Sequence, residues 1–226
     1  MSGAVSWEEG GKLRAESLVL ARPVVIGRGD ASDIQLTDAS VSREHAVIEF
    51  RVGRYLVTNR SRTNPTLLNG NAAADGAPLN DGDLLVLGTV PVRFHDLSSG
   101  DGISGPMCSH CGRENKSTDK DCWYCGTSLV YAASTLRTRR QVVGRVVAAS
   151  GEFLDLYAGQ SARLGEGMPS LIQAPGQNEP ALAGWAEVSA AQDGLLLSAG
   201  DGAQGRALST GDTVDAGGAR YVVIIR

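Results

Sequence analysis

The chain has 226 residues, 21 Lys+Arg against 25 Asp+Glu, and a formal net charge of −4 at pH 7. That length fits one large domain or two small ones at about 100–200 residues each. The slightly acidic balance argues against a nucleic-acid or membrane-surface protein at whole-chain level, so any anion site must be local. With 29 Gly and 5% aromatics, the composition suits short strands and turns better than long packed helices. The basic residues divide into 18 Arg and 3 Lys, the bias of a GC-rich bacterial coding sequence.

Residues 1–16 read as an N-terminal extension. Met1 to Gly10 carries Trp7, Glu8 and Glu9 and lacks the apolar core of a signal peptide. No stretch of the chain approaches the roughly 18 apolar residues of a membrane span, and a cytoplasmic, membrane-free protein is expected.

Residues 17–97 are predicted to be a β-sandwich. Short β-branched or apolar runs at Leu18–Leu20, Val24–Ile26, Ile34–Leu36, Ala46–Phe50, Tyr55–Thr58, Leu84–Leu87 and Val90–Phe94 are broken by turn residues such as Asn69-Gly70 and Asp81-Gly82. Residues 98–106, rich in Ser, Gly and Asp, cannot bury a core and read as a linker. A cysteine-bearing segment occupies 107–130, and a second, Arg-rich linker follows at 131–140. Strands resume over 141–226, at Gln141–Ala148, Phe153–Tyr157, Ala186–Ser189, Leu195–Ser198 and Tyr221–Ile225. The predicted fold class is all-β: two sandwiches joined by a small module.

The last segment echoes the first. Gly27-Arg28-Gly29 matches Gly165-Glu166-Gly167, and Leu79-Asn80-Asp81-Gly82-Asp83 matches Leu208-Ser209-Thr210-Gly211-Asp212. His45-Ala46 aligns with Trp185-Ala186, and Leu182 stands where Ser42 does. A repeat of this length implies two copies of one sandwich rather than a solenoid.

Polar residues stand at the joints of the first sandwich. Arg28 follows a predicted strand between two glycines, where a sharp turn lets its guanidinium project. Arg offers a planar fork that engages two oxygens and keeps its proton. Ser42 and Thr63 offer hydroxyls, Arg43 a second cation, and Asn64 an amide that both donates and accepts. A phosphorylated side chain, with nearly two negative charges and three acceptor oxygens, needs such a set.

In their order, Gly27-Arg28, Ser42-Arg43-Glu44-His45, Thr63-Asn64-Pro65-Thr66 and Asn69-Gly70 resemble the forkhead-associated (FHA) domain, a β-sandwich that binds phosphothreonine peptides. The resemblance spans Leu18 to Phe94. It implies that Arg28 and Ser42 hold the phosphate, that Thr63 and Arg43 assist, and that Asn64 binds the peptide main chain. Gly27, His45, Asn69 and Gly70 would support the pocket. It further implies a threonine-phosphorylated protein or a Ser/Thr kinase as partner and a preference for threonine over serine. Thr135 and Thr138, once phosphorylated, are candidate intramolecular ligands. The sequence departs from the family at Arg62-Thr63-Asn64-Pro65-Thr66, where Pro65 removes a backbone donor and stiffens the loop. Ser40, short and neutral, promises no strong charge preference nearby. A carboxylate at Glu166 would repel a phosphate, so the second sandwich resembles a degenerate FHA domain that has lost this ligand.

Cys108, Cys111, Cys122 and Cys125 form C-x2-C-x10-C-x2-C, with Gly112 and Gly126 directly after each pair. Two residues between thiols let both sulfurs reach one ion, and two such knuckles make a closed tetrahedral site that suits structural zinc. The segment resembles a zinc ribbon, although the same ligands accept iron and disulfides are the alternative. Arg113, Lys116 and Lys120 are balanced by Glu114, Asp119 and Asp121, which makes a poor nucleic-acid surface. Trp123 and Tyr124 suit either a protein contact or the ribbon's own small core. The alternatives to a phosphopeptide adaptor are a zinc-ribbon nucleic-acid-binding regulator and a scaffold with a silent pocket. No P-loop, triad spacing or open metal site points to an enzyme.

Overall fold

The computed structural model describes residues 2–19, 21–51, 53–98, 106, 108–110, 115, 119–122, 125–130, 142–165, 169–171, 185–199 and 205–226. The expectations placed on Cys111, Trp123, Tyr124, Thr135, Thr138, Glu166 and Leu182 lie outside these residues. Met1–Ser98 with Val142–Arg226 form one compact unit, and Ser99–Gln141 a second. Regular structure among the described residues is all β, as the composition implies, and no helix is long and apolar enough to cross a membrane.

The first half of the larger unit holds β1 (Gly3–Glu9), β2 (Lys12–Ser17), β3 (Val24–Gly27), β4 (Ile34–Gln35), β5 (Ala46–Arg51), β6 (Arg54–Asn59), β7 (Leu67–Leu68), β8 (Asn71–Ala72), β9 (Ala77–Leu79), β10 (Leu84–Leu87) and β11 (Val90–Asp96). They form two sheets, ordered β2-β1-β11-β10-β7-β8 and β4-β3-β5-β6-β9. Their inward side chains share one core, with Val5, Trp7, Leu85, Val92 and Phe94 meeting Val24, Ile26, Ile48, Tyr55 and Val57. Tyr55 and Phe94 pack edge to face across it at 5.1 Å.

The expected N-terminal extension is instead two strands of this sandwich. β1 pairs antiparallel with β11 from Gly3↔Asp96 to Trp7↔Val92, and with β2 on its other side. Five consecutive β1 residues are buried. A strand covered on both faces loses the apolar-polar alternation by which strands are read. Leu18 lies beyond the end of β2 rather than in a strand of its own.

The second half holds β12 (Val142–Ala148), β13 (Phe153–Tyr157), β14 (Ser161–Leu164), β15 (Ser170–Leu171), β16 (Ala186–Ala190), β17 (Leu195–Ala199), β18 (Arg206–Ala207), β19 (Thr213–Ala216) and β20 (Ala219–Ile225). Their sheets run β13-β12-β20-β19 and β15-β14-β16-β17-β18. Matched strand for strand, these repeat the orders of the first sandwich without a β7–β8 hairpin. One difference is that β4 pairs parallel with β3, whereas β15 pairs antiparallel with β14.

The repeat extends to single hydrogen bonds. In the turn before β10, Asn80 N–H donates to Asp83 Oδ2, and Gly82 N–H to Phe94 O. Before β19, Ser209 N–H donates to Asp212 Oδ2, and Gly211 N–H to Val223 O. Gly82 and Gly211 have φ of 84° and 92°, the left-handed region that favours glycine. Between β6 and β9 the chain runs through residues 60–76, which include β7 and β8, whereas β17 and β18 are separated by residues 200–205 alone.

The two sandwiches share a further core within this unit. Ala4, Leu13, Ala15 and Leu97 pack against Val142, Val147, Val222 and Ile224. Along β20 the side chains alternate, with Tyr221 and Val223 in the second sandwich's own core and Val222 and Ile224 in the shared one. Beside this layer lies Arg145, 1% exposed. Its guanidinium reaches Asp81 at 2.6 and 2.9 Å and Asp155 at 2.6 and 3.0 Å. The same side chain donates to His95 Nδ1 at 3.2 Å and lies 3.7 Å from the Phe153 ring centre. Because Nδ1 accepts from an arginine, the ring proton sits on Nε2, which donates to Ser6 Oγ at 2.8 Å.

Candidate functional site

Three loops meet at one end of the first sandwich: residues 28–33 after β3, 36–45 before β5, and 60–66 after β6. Together they line a depression of about 670 Å³ that includes Arg28, Asp30, Ser40, Ser42, Arg43, Glu44, Arg60, Arg62, Thr63 and Asn64. That gathers Arg28, Ser42, Arg43, Thr63 and Asn64, the five residues singled out as ligand-binding from sequence.

The first two loops are held at the closest approach a backbone allows. Arg28 N–H donates to Ser42 O at 2.8 Å, and Gly29 N–H to Arg43 O at 3.0 Å. A Cβ at Gly27 would stand 2.2 Å from Arg43 O, so the contact requires glycine. Arg28 is exposed, but its Nε donates to Val41 O at 3.1 Å. This anchors the guanidinium and leaves both terminal amino groups as a fork for a ligand.

His45 joins all three loops from below. It is 0% exposed, its N–H donates to Ile26 O, and its carbonyl accepts from the N–H groups of Arg60 and Ser61. Its Nδ1 accepts from Ser42 N–H at 3.0 Å. Burial pushes the imidazole pKa below its ordinary value, with the Asn64 backbone opposing weakly. The neutral ring is thus a fixed strut rather than a base.

The hydroxyls converge. Ser42 Oγ lies 2.8 Å from Ser61 Oγ and 3.4 Å from Thr63 Oγ1, and Ser61 Oγ accepts from Asn64 N–H at 3.2 Å. When Ser61 Oγ–H donates its hydrogen bond to Ser42 Oγ, the Ser42 hydroxyl proton is left to face an anion. Asn64 Nδ2 donates to Ser40 O at 3.0 Å, which orients the amide and leaves Oδ1 for a peptide N–H.

Sequence reasoning overlooked Ser61 and Asn59. Asn59 Nδ2 donates to Ser61 O, and its Oδ1 accepts from both Thr66 N–H and Thr66 Oγ1. It therefore spans the turn containing Pro65, whose missing donor is not needed there. Ser40 is not a free contact, since its hydroxyl donates to Asp38 at 2.5 Å and accepts from Thr89 N–H at 2.9 Å.

Asn69 and Gly70 lie outside the pocket lining. They form the two-residue turn between β7 and β8, with φ of 49° and 84°, as a primed hairpin turn demands. Asn69 Oδ1 accepts from Leu84 N–H, and its Nδ2 donates to Asp83. They brace the hairpin against β10, at one remove from the pocket.

In the second sandwich Trp185 holds the register of His45, because Leu164↔Ala186 repeats Ile26↔Ala46. Its indole covers Gly165, where a Cβ would stand 3.1 Å from the ring. An indole has no acceptor for a loop N–H, so Trp185 cannot make the bond that His45 Nδ1 makes to Ser42 N–H.

In the smaller unit, Cys108, Cys122 and Cys125 bring their sulfurs within 4.8 Å of one another, and Cys108 and Cys125 stand 3.5 Å apart. A disulfide is about 2.05 Å long, whereas thiolates on one tetrahedral zinc at about 2.3 Å each sit roughly 3.8 Å apart. Cys108 and Cys122 are buried against Leu129. Cys122 O accepts from Gly126 N–H across the knuckle, and Gly126 has φ 71°. The three described thiols thus suit one soft metal ion.

Residues 24–88 match the FHA domain family. The chain is 30% identical over 106 residues to the ABC transporter ATP-binding/permease protein Rv1747 of Mycobacterium tuberculosis (strain ATCC 25618 / H37Rv), with 42% of this chain covered. The match spans 12% of that relative's length. Among solved structures, it is similar to a chain from a structural and functional analysis of phosphothreonine-dependent FHA domain interactions, at 29% identity and TM-score 0.39, covering 42% of this chain and 97% of that one. It is also similar to the FhaA FHA domain complexed with the intracellular domain of Rv3910, at 30% identity and TM-score 0.38, covering 42% and 100%. The family match falls on the residues that build the three-loop pocket, and the chain therefore carries an FHA domain over residues 24–88.

Proposed function

We propose that this protein is a non-enzymatic adaptor whose FHA domain binds threonine-phosphorylated proteins, or a Ser/Thr kinase itself, in the cytoplasm. One arrangement carries the reading: the Arg28 fork, pinned by Val41 O, beside the Ser42–Ser61–Thr63 hydroxyl cluster and the oriented amide of Asn64. Arg28 takes two phosphate oxygens, Ser42 and Thr63 donate to the third, and Arg43 completes the charge balance of a dianion. Asn64 holds the peptide main chain, while Gly27 and His45 keep the loops in place.

The second sandwich is assigned as a degenerate FHA-like domain without phosphate binding. The short sequence separation of β17 and β18 and Trp185 in the place of His45 support this. The cysteine segment is assigned as a structural zinc ribbon, which the spacing and convergence of the described thiols support, with Cys111 the expected fourth ligand.

A fluorescent phosphothreonine peptide tests the central claim by anisotropy. It is expected to bind at least tenfold more tightly than its phosphoserine and unphosphorylated forms, and Arg28→Ala should abolish binding. Unchanged affinity in Arg28→Ala would overturn the assignment. Salt-dependent RNA or DNA binding that disappears on chelation would replace the adaptor with a nucleic-acid regulator.

A further inference from the structure

The pocket holds more positive charge than one phosphate can use. Arg28, Arg43, Arg60 and Arg62 line it against Asp30 and Glu44, an excess of two positive charges (4 − 2) on a chain whose net charge is −4. All four arginines are exposed, and among the described residues none lies within ion-pairing distance of a carboxylate. Other exposed arginines do: Arg22 with Asp33, Arg51 with Glu49 and Arg220 with Asp215 are examples.

A phosphate monoester offers three acceptor oxygens and two charges, which Arg28, Arg43, Ser42 and Thr63 satisfy. Arg60 and Arg62 remain. They flank the inward, 8% exposed Ser61, and the backbone of Arg60 is fixed by its N–H bond to His45 O. The acidic pair lies on the other two loops, Asp30 after Arg28 and Glu44 after Arg43. The rim is therefore polarised, basic on the Asn64 loop and mixed opposite it.

We infer that Arg60 and Arg62 form a second anion subsite, and that the preferred ligand is a phosphothreonine peptide carrying a further anionic side chain within a few residues of the phosphothreonine. Arg62 is two positions from Asn64, the group that grips the peptide backbone, so a neighbouring side chain falls within its reach. Carboxylate and phosphate share the chemistry that this pair recognises. The inference rests on the phosphothreonine reading of the pocket.

Three anisotropy series on the full chain at about 150 mM salt separate the possibilities. One peptide carries phosphothreonine with neutral flanks, a second set adds one Asp at each flanking position in turn, and a third adds a second phosphothreonine there. At one or two positions, the Asp peptide should bind about fivefold and the doubly phosphorylated peptide at least about tenfold more tightly than the neutral one, the scale expected of a few exposed charge pairs. A gain from Asp identifies an acidic sequence, and a gain from phosphate alone identifies a doubly phosphorylated one. In an Arg60→Gln/Arg62→Gln variant the ratio of affinities should fall to about 1, and Arg62→Glu should invert it. Equal affinities in the wild type, or a preference that survives both variants, overturns the subsite. If no phosphopeptide binds the wild type, the underlying assignment fails instead.

Discussion

Ser61 stands behind the pocket wall, 8% exposed, yet three groups depend on it. Its hydroxyl accepts the Asn64 N–H and meets Ser42 Oγ at 2.8 Å, while its carbonyl accepts from Asn59. Removing the hydroxyl leaves the Asn64 amide unpaired and lets the Ser42 proton turn away from the ligand. A hydrogen bond of this kind is worth about 1 kcal/mol. Ser61→Ala is therefore expected to weaken phosphothreonine-peptide binding about fivefold without shifting the unfolding midpoint beyond a few degrees. Unaltered affinity by anisotropy would show that Ser42 orients itself. Arg28, Ser42, Thr63 and Asn64 were legible in sequence because each sits at a strand end among Gly, Pro and other polar residues. Ser61 was not, because only folding brings it against Ser42, nineteen positions away. Arg60 and Arg62 were equally silent: an arginine in a loop reads as solvated until the pocket it lines is known.

At the scale of elements, the runs that were easy to read have one buried face or a long apolar stretch, such as β5, β10, β11 and the Tyr221–Ile225 part of β20. The turn at Leu79–Asp83 was recognised in Leu208–Asp212, and its hydrogen bonds are the same in both copies. β1 and β2 escaped because a shared core covers the side that an isolated sandwich would leave to water. β7, β8, β9 and β18 escaped because two- and three-residue strands carry too few positions to show a period. The cysteine segment is the opposite case, where spacing alone is informative and packing is scant. Its described apolar core is Cys108, Cys122 and Leu129, so metal binding should supply most of its folding free energy. Purified protein is expected to hold one zinc per chain by elemental analysis, and cobalt exchange should give the charge-transfer and visible bands of tetrahedral thiolate. Chelation should expose residues 106–130 to protease while leaving phosphopeptide affinity unchanged. A metal-free protein with four titratable thiols would sink the zinc assignment, and iron would be seen by its colour.

For the whole molecule the telling group is Arg145, which ties Asp81 of the first sandwich to Asp155 of the second beside their shared core. Burying a guanidinium is unfavourable, but hydrogen bonds and charge from Asp81 and Asp155 outweigh the burial and raise its pKa above the ordinary value. Burial likewise opposes ionisation of Asp81, yet Arg145 and the Asp96 N–H hold its pKa below the usual carboxylate range. His95, fully buried, is the pH-sensitive member of this cluster. Burial first, then the charge of Arg145, lower its pKa to about 3, against a partial opposing pull from Asp81. An unfolded histidine titrates near 6.5. Between these values the unfolded chain binds the extra proton and the folded chain does not, so stability falls as pH drops from about 6.5, by up to about 1.4 kcal/mol per pH unit. Asp81 adds its own loss only below the ordinary carboxylate pKa, near 3.9. The expected behaviour in urea, followed by tryptophan fluorescence, is one transition for both sandwiches at pH 7 and a lower midpoint at pH 4.5. Arg145→Met should then do two things together. Leaving Asp81 and Asp155 without their cation should cost about 3–5 kcal/mol at pH 7 and split the transition in two, because the sandwiches lose their common lock. Removing the charge beside His95 should also let its pKa climb, so the stability difference between pH 7 and pH 4.5 should shrink. A variant that unfolds in a single transition with the wild-type pH dependence would mean that the shared apolar layer of Ala4, Leu13, Val147 and Val222 alone joins the two halves.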